Sequence, residues 1–251
     1  SPWAGVRHRC YRQTTAGSAA VAWMLWNSWR RGTYTDLIDQ YVTLTRFAAD
    51  KFAALGLPPD RIRVKPNFVA DAGGVGEGGG GYAVFAGRLS EEKGVTTMLQ
   101  AWTRLRDVPL VVVGDGPLRA EAEALARQLE IPARFLGVRP RPEVLDIIGR
   151  ADVQVVPSEC YEGFPLVIVE GFARGTPMAV SRIGGLIELV RPGETGLHFE
   201  PGDPASMAEA VRRLWSDASL RDRFRLAGRR EYEQRYTPAR NLEELLEIYS
   251  L

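Results

Sequence analysis

Two cations five positions apart carry the first chemical signal in this 251-residue sequence. Arg88 and Lys93 lie in Gly87-Arg88-Leu89-Ser90-Glu91-Glu92-Lys93-Gly94, between an apolar stretch of strand length and a helical pattern. Fixed positive charges beside a helix N-terminus suit a diphosphate, and each charge-assisted hydrogen bond there contributes about 1.5–3 kcal/mol. Solvated charges in a turn are the competing reading. The second signal is a pair of carboxylates in Ser158-Glu159-Cys160-Tyr161-Glu162-Gly163-Phe164-Pro165-Leu166-Val167-Ile168-Val169-Glu170. Glu162 falls in a loop, and Glu170 in an apolar helical run, where a carboxylate is costly unless it is paired or faces a ligand. Carboxylates accept hydrogen bonds from vicinal sugar hydroxyls, so Glu170 suits a ribose and Glu162 a hexose. Pairing of Glu170 with Arg174, one helical turn away and worth about 0.2–0.5 kcal/mol, is the structural alternative. A third turn, Gly184-Gly185 ahead of Leu186-Ile187-Glu188, either admits a ligand close to the backbone or is a plain tight turn.

These turns need elements to hold them. Apolar, β-branched runs at 82–86, 109–113, 133–136, 152–156, 178–181 and 196–199 alternate with helical patterns. The helices are expected from about 92 to 105, 118 to 129, 142 to 148, 166 to 173, 186 to 190 and 204 to 215. Strands of this length alternating with helices predict βαβ units and a parallel sheet buried on both faces, a doubly wound, Rossmann-like α/β domain. In such sheets ligands bind beyond the carboxyl ends of the strands, where all three turns fall. Residues 219–251 read as helical with a break at Thr237-Pro238.

The first 71 residues have a different character. Residues 1–70 hold ten Lys+Arg against four Asp+Glu, although the whole chain carries only +1. Trp3, Trp23, Trp26 and Trp29 are four of its six tryptophans. Helical patterns at 18–29 and 47–55 and short strands at 42–45 and 62–64 make this a mainly helical segment. Residues 72–81 read AGGVGEGGGG, a flexible linker by composition. Net charge near zero argues against bulk electrostatic binding of nucleic acid, and no apolar run reaches the roughly 18 residues of a membrane span. Two cysteines with no Cys-x-x-Cys pair make neither a disulfide framework nor a metal site and fit a reducing cytoplasm.

Gly87-Arg88-Leu89 with Lys93-Gly94, Val113-Gly114-Asp115-Gly116-Pro117, Phe135-Leu136-Gly137, the Glu162 and Glu170 pair, and Gly184-Gly185 with Glu188 occur in that order. Together they resemble the donor-binding domain of the retaining family-four (group 1) glycosyltransferases of GT-B fold, densely over residues 82–236. Residues 8–12, 42–57 and Ile62-Arg63-Val64-Lys65-Pro66-Asn67 are similar to the last part of that family's acceptor-binding domain. The resemblance implies a remnant of the acceptor domain at 1–71, a linker at 72–81, a donor domain at 82–236 and a C-terminal helix at 237–251 packing back toward the N-terminal part.

The implied activity is transfer of a sugar, with retention, from a nucleotide-diphosphate sugar to the hydroxyl of a carbohydrate or lipid-linked acceptor, in polysaccharide or glycolipid assembly. UDP-sugars are favoured over GDP-sugars. Arg88 and Lys93 would neutralise the diphosphate and stabilise it as leaving group, which makes them, with Glu162 at the donor sugar, the expected catalytic residues. Glu170 would bind the ribose, and the backbone at Gly137-Val138 the base. Gly87, Gly163 and the run Phe164-Pro165-Leu166-Val167 would complete the donor site. The leaving phosphate would take the acceptor proton, so no protein nucleophile, metal or further cofactor is expected.

Three departures from the pattern stand out. Pro165 occupies a position where many relatives have Gly. Gly171 replaces the usual Ala in a helix, at a cost of about 1 kcal/mol. The family's glycine-rich first loop and its catalytic-region His have no counterpart, so the chain is expected to lack most of the acceptor domain and to begin partway through a longer protein. The location expected is cytoplasmic, with contact to the inner face of the membrane through Trp23, Trp26 and Trp29 beside Arg30-Arg31, or else with those tryptophans packed inside the acceptor domain. A nucleotide-sugar-binding module without activity and an epimerase of the same fold are the alternatives. A dinucleotide-binding oxidoreductase is disfavoured because Arg119 replaces the third glycine of Gly114-x-Gly116.

Overall fold

A computed structural model describes residues 2–71 and 73–250. Ala72, where the expected linker begins, and the terminal Ser1 and Leu251 lie outside the described residues. Contacts group the chain into two compact units, one of Ser1–Thr43 with Ala49–Val64 and the other of Leu44–Ala48 with Lys65–Leu251.

In the first unit, α1 (Ala4–Arg7) precedes α2 (Thr15–Arg30), which starts where the Thr14 hydroxyl accepts the Gly17 N–H at 3.2 Å. β1 (Tyr41–Thr43) and β2 (Ile62–Val64) then pair in parallel, with Tyr41 opposite Ile62. A parallel pair needs a crossover, and α3 (Arg46–Ala54) supplies it. Ala49, Leu57 and Ile62 form a small core under Tyr34 and Tyr41.

The second unit alternates strand and helix as expected: β3 (Ala83–Ala86), α4 (Val95–Trp102), β4 (Leu110–Val113), α5 (Arg119–Gln128), β5 (Ala133–Gly137) and α6 (Arg141–Arg150). The series continues with β6 (Val153–Val156), α7 (Leu166–Arg174), β7 (Met178–Ser181), α8 (Leu186–Leu189), β8 (Leu197–Phe199) and α9 (Pro204–Ser216). Two further helices, α10 (Ala218–Arg235) and α11 (Pro238–Tyr249), close the chain. All neighbouring strands are parallel, in the order β5-β4-β3-β6-β7-β8. This is the doubly wound order, with its reversal between β3 and β6.

Alternate strand residues feed opposite faces. Phe85, Leu110, Val112, Val153 and Val155 pack with Met98, Leu99 and Trp102 of α4 and Met207, Val211 and Leu214 of α9. On the other face, Val84 and Val111 meet Ile148 of α6, while Val156 and Val180 meet Ile168, Phe172 and Tyr232. Caps set the later boundaries. Asp203 accepts two N–H groups ahead of Pro204, and Thr237 accepts the Arg240 N–H ahead of Pro238, so the break read at Thr237-Pro238 is a helix start.

The first helix of the unit departs from expectation. In place of one helix over 92–105, a 3-10 turn at Glu91–Lys93 is followed by Gly94 at φ +65° and only then by α4. A side chain at Gly94 would collide with the Pro157 carbonyl oxygen, so the turn is pressed against the loop after β6.

The glycine stretch is also not where the units divide. The amides of Gly76, Gly78 and Gly80 donate to the carbonyls of Arg174, Gly149 and Arg150, each at 2.9 Å. A Cβ on Gly76 would sit 2.2 Å from the Gly149 oxygen, so glycine here allows close backbone approach rather than flexibility. Contacts group the segment before the glycines, from Lys65 onward, with the sheet-bearing unit, where it is tied to the C-terminal helices. Asn241 donates to the Pro66 carbonyl, the Tyr232 hydroxyl to the Val69 carbonyl, and Arg229 pairs with Asp71 at 2.7 Å. Among the described residues no helix is long and apolar enough to cross a membrane.

Candidate functional site

The loops after β3 and β6 meet where the strand order reverses. Val113 accepts the Gly87 N–H at 3.0 Å, and a Cβ on Gly114 would lie 1.9 Å from the Gly87 oxygen, so β3 and β4 end in close contact. The Arg88 side chain then projects outward, exposed, with no hydrogen bond or ion pair among the described residues. Lys93 closes the 3-10 turn and pairs with Glu162 at 2.6 Å, with 27 % of the Lys93 side chain exposed but only 11 % of Glu162. Ser158, itself buried, donates its hydroxyl to the other oxygen of Glu162. Two further contacts brace the loop: the Glu159 N–H donates to the Glu92 carbonyl at 2.9 Å, and Thr97 donates its hydroxyl to the Glu159 carboxylate.

A cavity of about 420 Å³ opens between these loops, lined by Gly87, Arg88, Lys93, Ser158, Glu162 and the run Phe164, Pro165, Leu166, Val167 that opens α7. A second hollow of about 250 Å³ shares Ala86, Gly87 and Val167 with it and continues past Val113, Gly114, Val138, Arg139 and Val144 to Glu170. The two form one trough along the carboxyl edge of the sheet. Its first part carries two cations and the free N–H groups of a helix start, a receptor for phosphate. Its second is mainly apolar, with Arg139 and one carboxylate, Glu170, in its lining. That carboxylate is half-buried, and Arg141 donates to it at 3.2 Å.

The trough gathers ten of the twelve expected donor-site residues. Gly163 lies exposed in the loop beside Glu162, and Gly137, at φ +70°, is buried behind Val138 at the end of β5, so neither lines a cavity. Arg174 does not pair with Glu170. It is buried and donates to the carbonyls of Leu145 and Gly74. Sequence reading missed Ser158, Glu159, Thr97 and Arg141 as supports. The adjacency of Ser158 and Glu159 to the carboxylate loop was the available signal, whereas Thr97 and Arg141 come from distant helices. The Gly114-x-Gly116 turn packs on protein: a Cβ on Gly116 would lie 2.3 Å from the Leu89 oxygen, and Arg119 pairs with Asp115 and Glu123. Burial pushes the Cys160 thiol up, with the Glu162 charge adding to it, so this cysteine is no activated nucleophile. A larger open hollow of about 510 Å³ lies between Arg104 and α9, but its Arg212 is engaged by Asp107 and its Asp203 caps the helix.

An open parallel sheet whose strand order reverses between β3 and β6, with Arg88 and Lys93 beside that point, defines a doubly wound α/β domain. The sequence model of the family described as glycosyl transferases group 1 matches residues 76–231, more than half the chain, and the chain belongs to that family. It is 31 % identical over 173 residues to an uncharacterized glycosyltransferase of Methanocaldococcus jannaschii, covering 67 % of this chain and 44 % of that one. A D-inositol 3-phosphate glycosyltransferase of Corynebacterium diphtheriae is 35 % identical over 178 residues, covering 66 % of this chain and 41 % of the relative. The chain thus spans less than half the length of these curated relatives. Among solved structures, Anabaena Alr3699/HepE in complex with UDP and glucose superposes with a TM-score of 0.77 at 20 % identity, over 84 % of this chain and 63 % of that one. Sucrose-phosphate synthase from Thermosynechococcus elongatus gives 0.78 at 22 % identity, over 98 % and 64 %. These likenesses establish the fold, the α/β parallel sheet of the GT-B glycosyltransferases.

Proposed function

We propose that the trough binds a nucleotide-diphosphate sugar and that the protein is the donor side of a retaining glycosyltransferase. One observation carries the reading: Arg88, Lys93 and the opening turn of α7 converge on a single cavity at the switch point, contiguous with a mainly apolar hollow that ends at Glu170. The diphosphate takes the two cations and the α7 amides, the ribose hydroxyls reach Glu170, the base lies along Val138, and the sugar turns toward Glu162. In the reaction the bond between the sugar's anomeric carbon and the diphosphate oxygen breaks. The acceptor oxygen bonds from the same face, and its proton passes to the departing phosphate. Arg88 and Lys93 hold the negative charge that develops there, a preorganised electrostatic role.

We assign the donor as a UDP-sugar in preference to a GDP-sugar, the setting as cytoplasmic, and the acceptor as a carbohydrate or lipid-linked hydroxyl in polysaccharide or glycolipid assembly. No metal or cofactor takes part. The support for UDP is its presence in structures of the same fold such as Alr3699/HepE. The test is thermal stabilisation of the chain by UDP and by GDP. Either diphosphate is expected to raise the melting midpoint, and Arg88→Ala and Lys93→Ala each to remove the rise, as loss of about 1.5–3 kcal/mol of charge-assisted bonding requires. Equal shifts in wild type and both variants would sink the diphosphate assignment.

A further inference from the structure

Gly184-Gly185 has a role that donor binding does not use. Instead of facing a ligand, the pair is covered by side chains of the chain itself. A Cβ on Gly184, which sits at φ +53°, would lie 3.0 Å from the Tyr161 ring and 3.4 Å from Phe47, and one on Gly185 would lie 3.1 Å from Thr45. Thr45 and Phe47 belong to Leu44–Ala48, the one stretch before Lys65 that groups with the sheet-bearing unit. Glu188, one turn into the short helix after the glycines, accepts the Phe47 N–H at 3.2 Å. Phe47 in turn meets Tyr161 edge to face, ring centres 4.8 Å apart. Tyr161 is 63 % exposed and immediately precedes Glu162.

The loop needs such support. Among the described residues, the backbone amides of Glu162 and Gly163 have no hydrogen-bond partner. The position of Glu162 is therefore set by side chains: Lys93 and Ser158 on its carboxylate, and Phe47 on its neighbour. A diphosphate that draws Lys93 toward itself removes the first of these, which leaves the Ser158 hydroxyl and the ring contact to hold Glu162 while the sugar is bound.

We infer that Glu188, Phe47 and Tyr161 are positioning residues for the Glu162 loop, so that the Leu44–Ala48 segment sets how the donor's sugar, as distinct from its nucleotide, is held. The inference rests on the donor-site reading above and deepens it. None of the three side chains lines the trough, and the base and ribose end at Val138 and Glu170 is built without them.

Calorimetric titration of the 251-residue chain with UDP, UDP-glucose, GDP and GDP-mannose tests it, read as the ratio of affinities for a sugar conjugate and its free diphosphate. Phe47→Ala and Glu188→Ala, which removes the acceptor of the Phe47 N–H, are expected to change that ratio by about fivefold, the scale of one aromatic pair, while affinity for the free diphosphate stays within about twofold. Phe47→Tyr keeps the edge-to-face contact and is expected to behave as wild type. Melting midpoints report folding, and Phe47→Leu replaces Phe47→Ala if the latter unfolds. Glu162→Gln calibrates the measurement. If it moves the ratio and the Phe47 and Glu188 variants do not, the positioning role is overturned and the donor site stands. If Glu162→Gln leaves the ratio unchanged, the sugar assignment of Glu162 falls and this inference with it. If neither diphosphate binds, the diphosphate reading itself has failed.

Discussion

Glu170 and Arg141 meet at 3.2 Å, yet 53 % of the arginine side chain is exposed against 15 % of the glutamate. A pair open to water on one side contributes at most about 1 kcal/mol, so it does not by itself account for a carboxylate on the inner part of an apolar helix. A ligand does. Glu170→Gln and Arg141→Ala are both expected to shift the melting midpoint little, whereas Glu170→Gln weakens UDP binding about tenfold, the effect of one charge-assisted bond. Arg141→Ala leaves UDP binding nearly unchanged. Equal losses in the two variants would mean that the pair, rather than the carboxylate alone, serves the ligand. At this scale the sequence showed the residue types and their spacing, but not their partners. Glu170 finds Arg141 of α6 instead of its helix neighbour Arg174, because Arg174 is spent on the Leu145 and Gly74 carbonyls. Partners brought together by folding leave no local pattern.

The helix bearing Glu170 is aimed by a buried amide. Gln154 sits in the central strand β6 with no exposed surface, and its amide Nε2 donates to the Val167 carbonyl in the first turn of α7 at 2.8 Å. Gly171 makes room for it: a Cβ there would lie 2.2 Å from Gln154 Oε1 and 2.8 Å from Met178 Cε. The glycine that reads as a loss of helix propensity is thus required by the strand beneath. Gly171→Ala gains about 1 kcal/mol of propensity but overpacks a filled site at a cost of about 1–3 kcal/mol. The expected result is a lower melting midpoint, by about 2–4 °C per kcal/mol of net loss. Gln154→Val removes the obstructing atoms, so the double variant is expected to be more stable than the sum of the two single changes; strict additivity would separate the two residues. Strands were legible because β-branched runs alternate with helical ones, and the break at Thr237-Pro238 was legible from local capping. The interruption at Gly94 was not, since its cause is the Pro157 carbonyl, 63 residues onward in sequence.

Across the sheet-bearing unit, two ties titrate in separate windows. His198 on β8 is half-buried with Nε2 at 2.7 Å from the Val190 carbonyl, and burial, with the charge of Arg182 adding, holds its pKa below the ordinary value. Because the unfolded chain takes up this proton first, stability is unaffected above about pH 6.5, falls as pH drops from there to the folded pKa, and then levels. Asp71 behaves in the opposite chemical sense. The hydrogen bond from Arg229 holds its carboxyl below the usual range, so its contribution is present above about pH 3.9 and is lost as pH falls through the folded value. Asp107 and Asp115 share that lower window, lowered by Arg212 and by the Gly116 amide respectively. Melting midpoints measured from about pH 8 downward should therefore fall in two steps. His198→Gln is expected to flatten the upper step and leave the lower one, and Asp71→Asn to reduce the lower step without abolishing it. An upper step of full size in His198→Gln would mean that the proton taken up near neutrality belongs to another group.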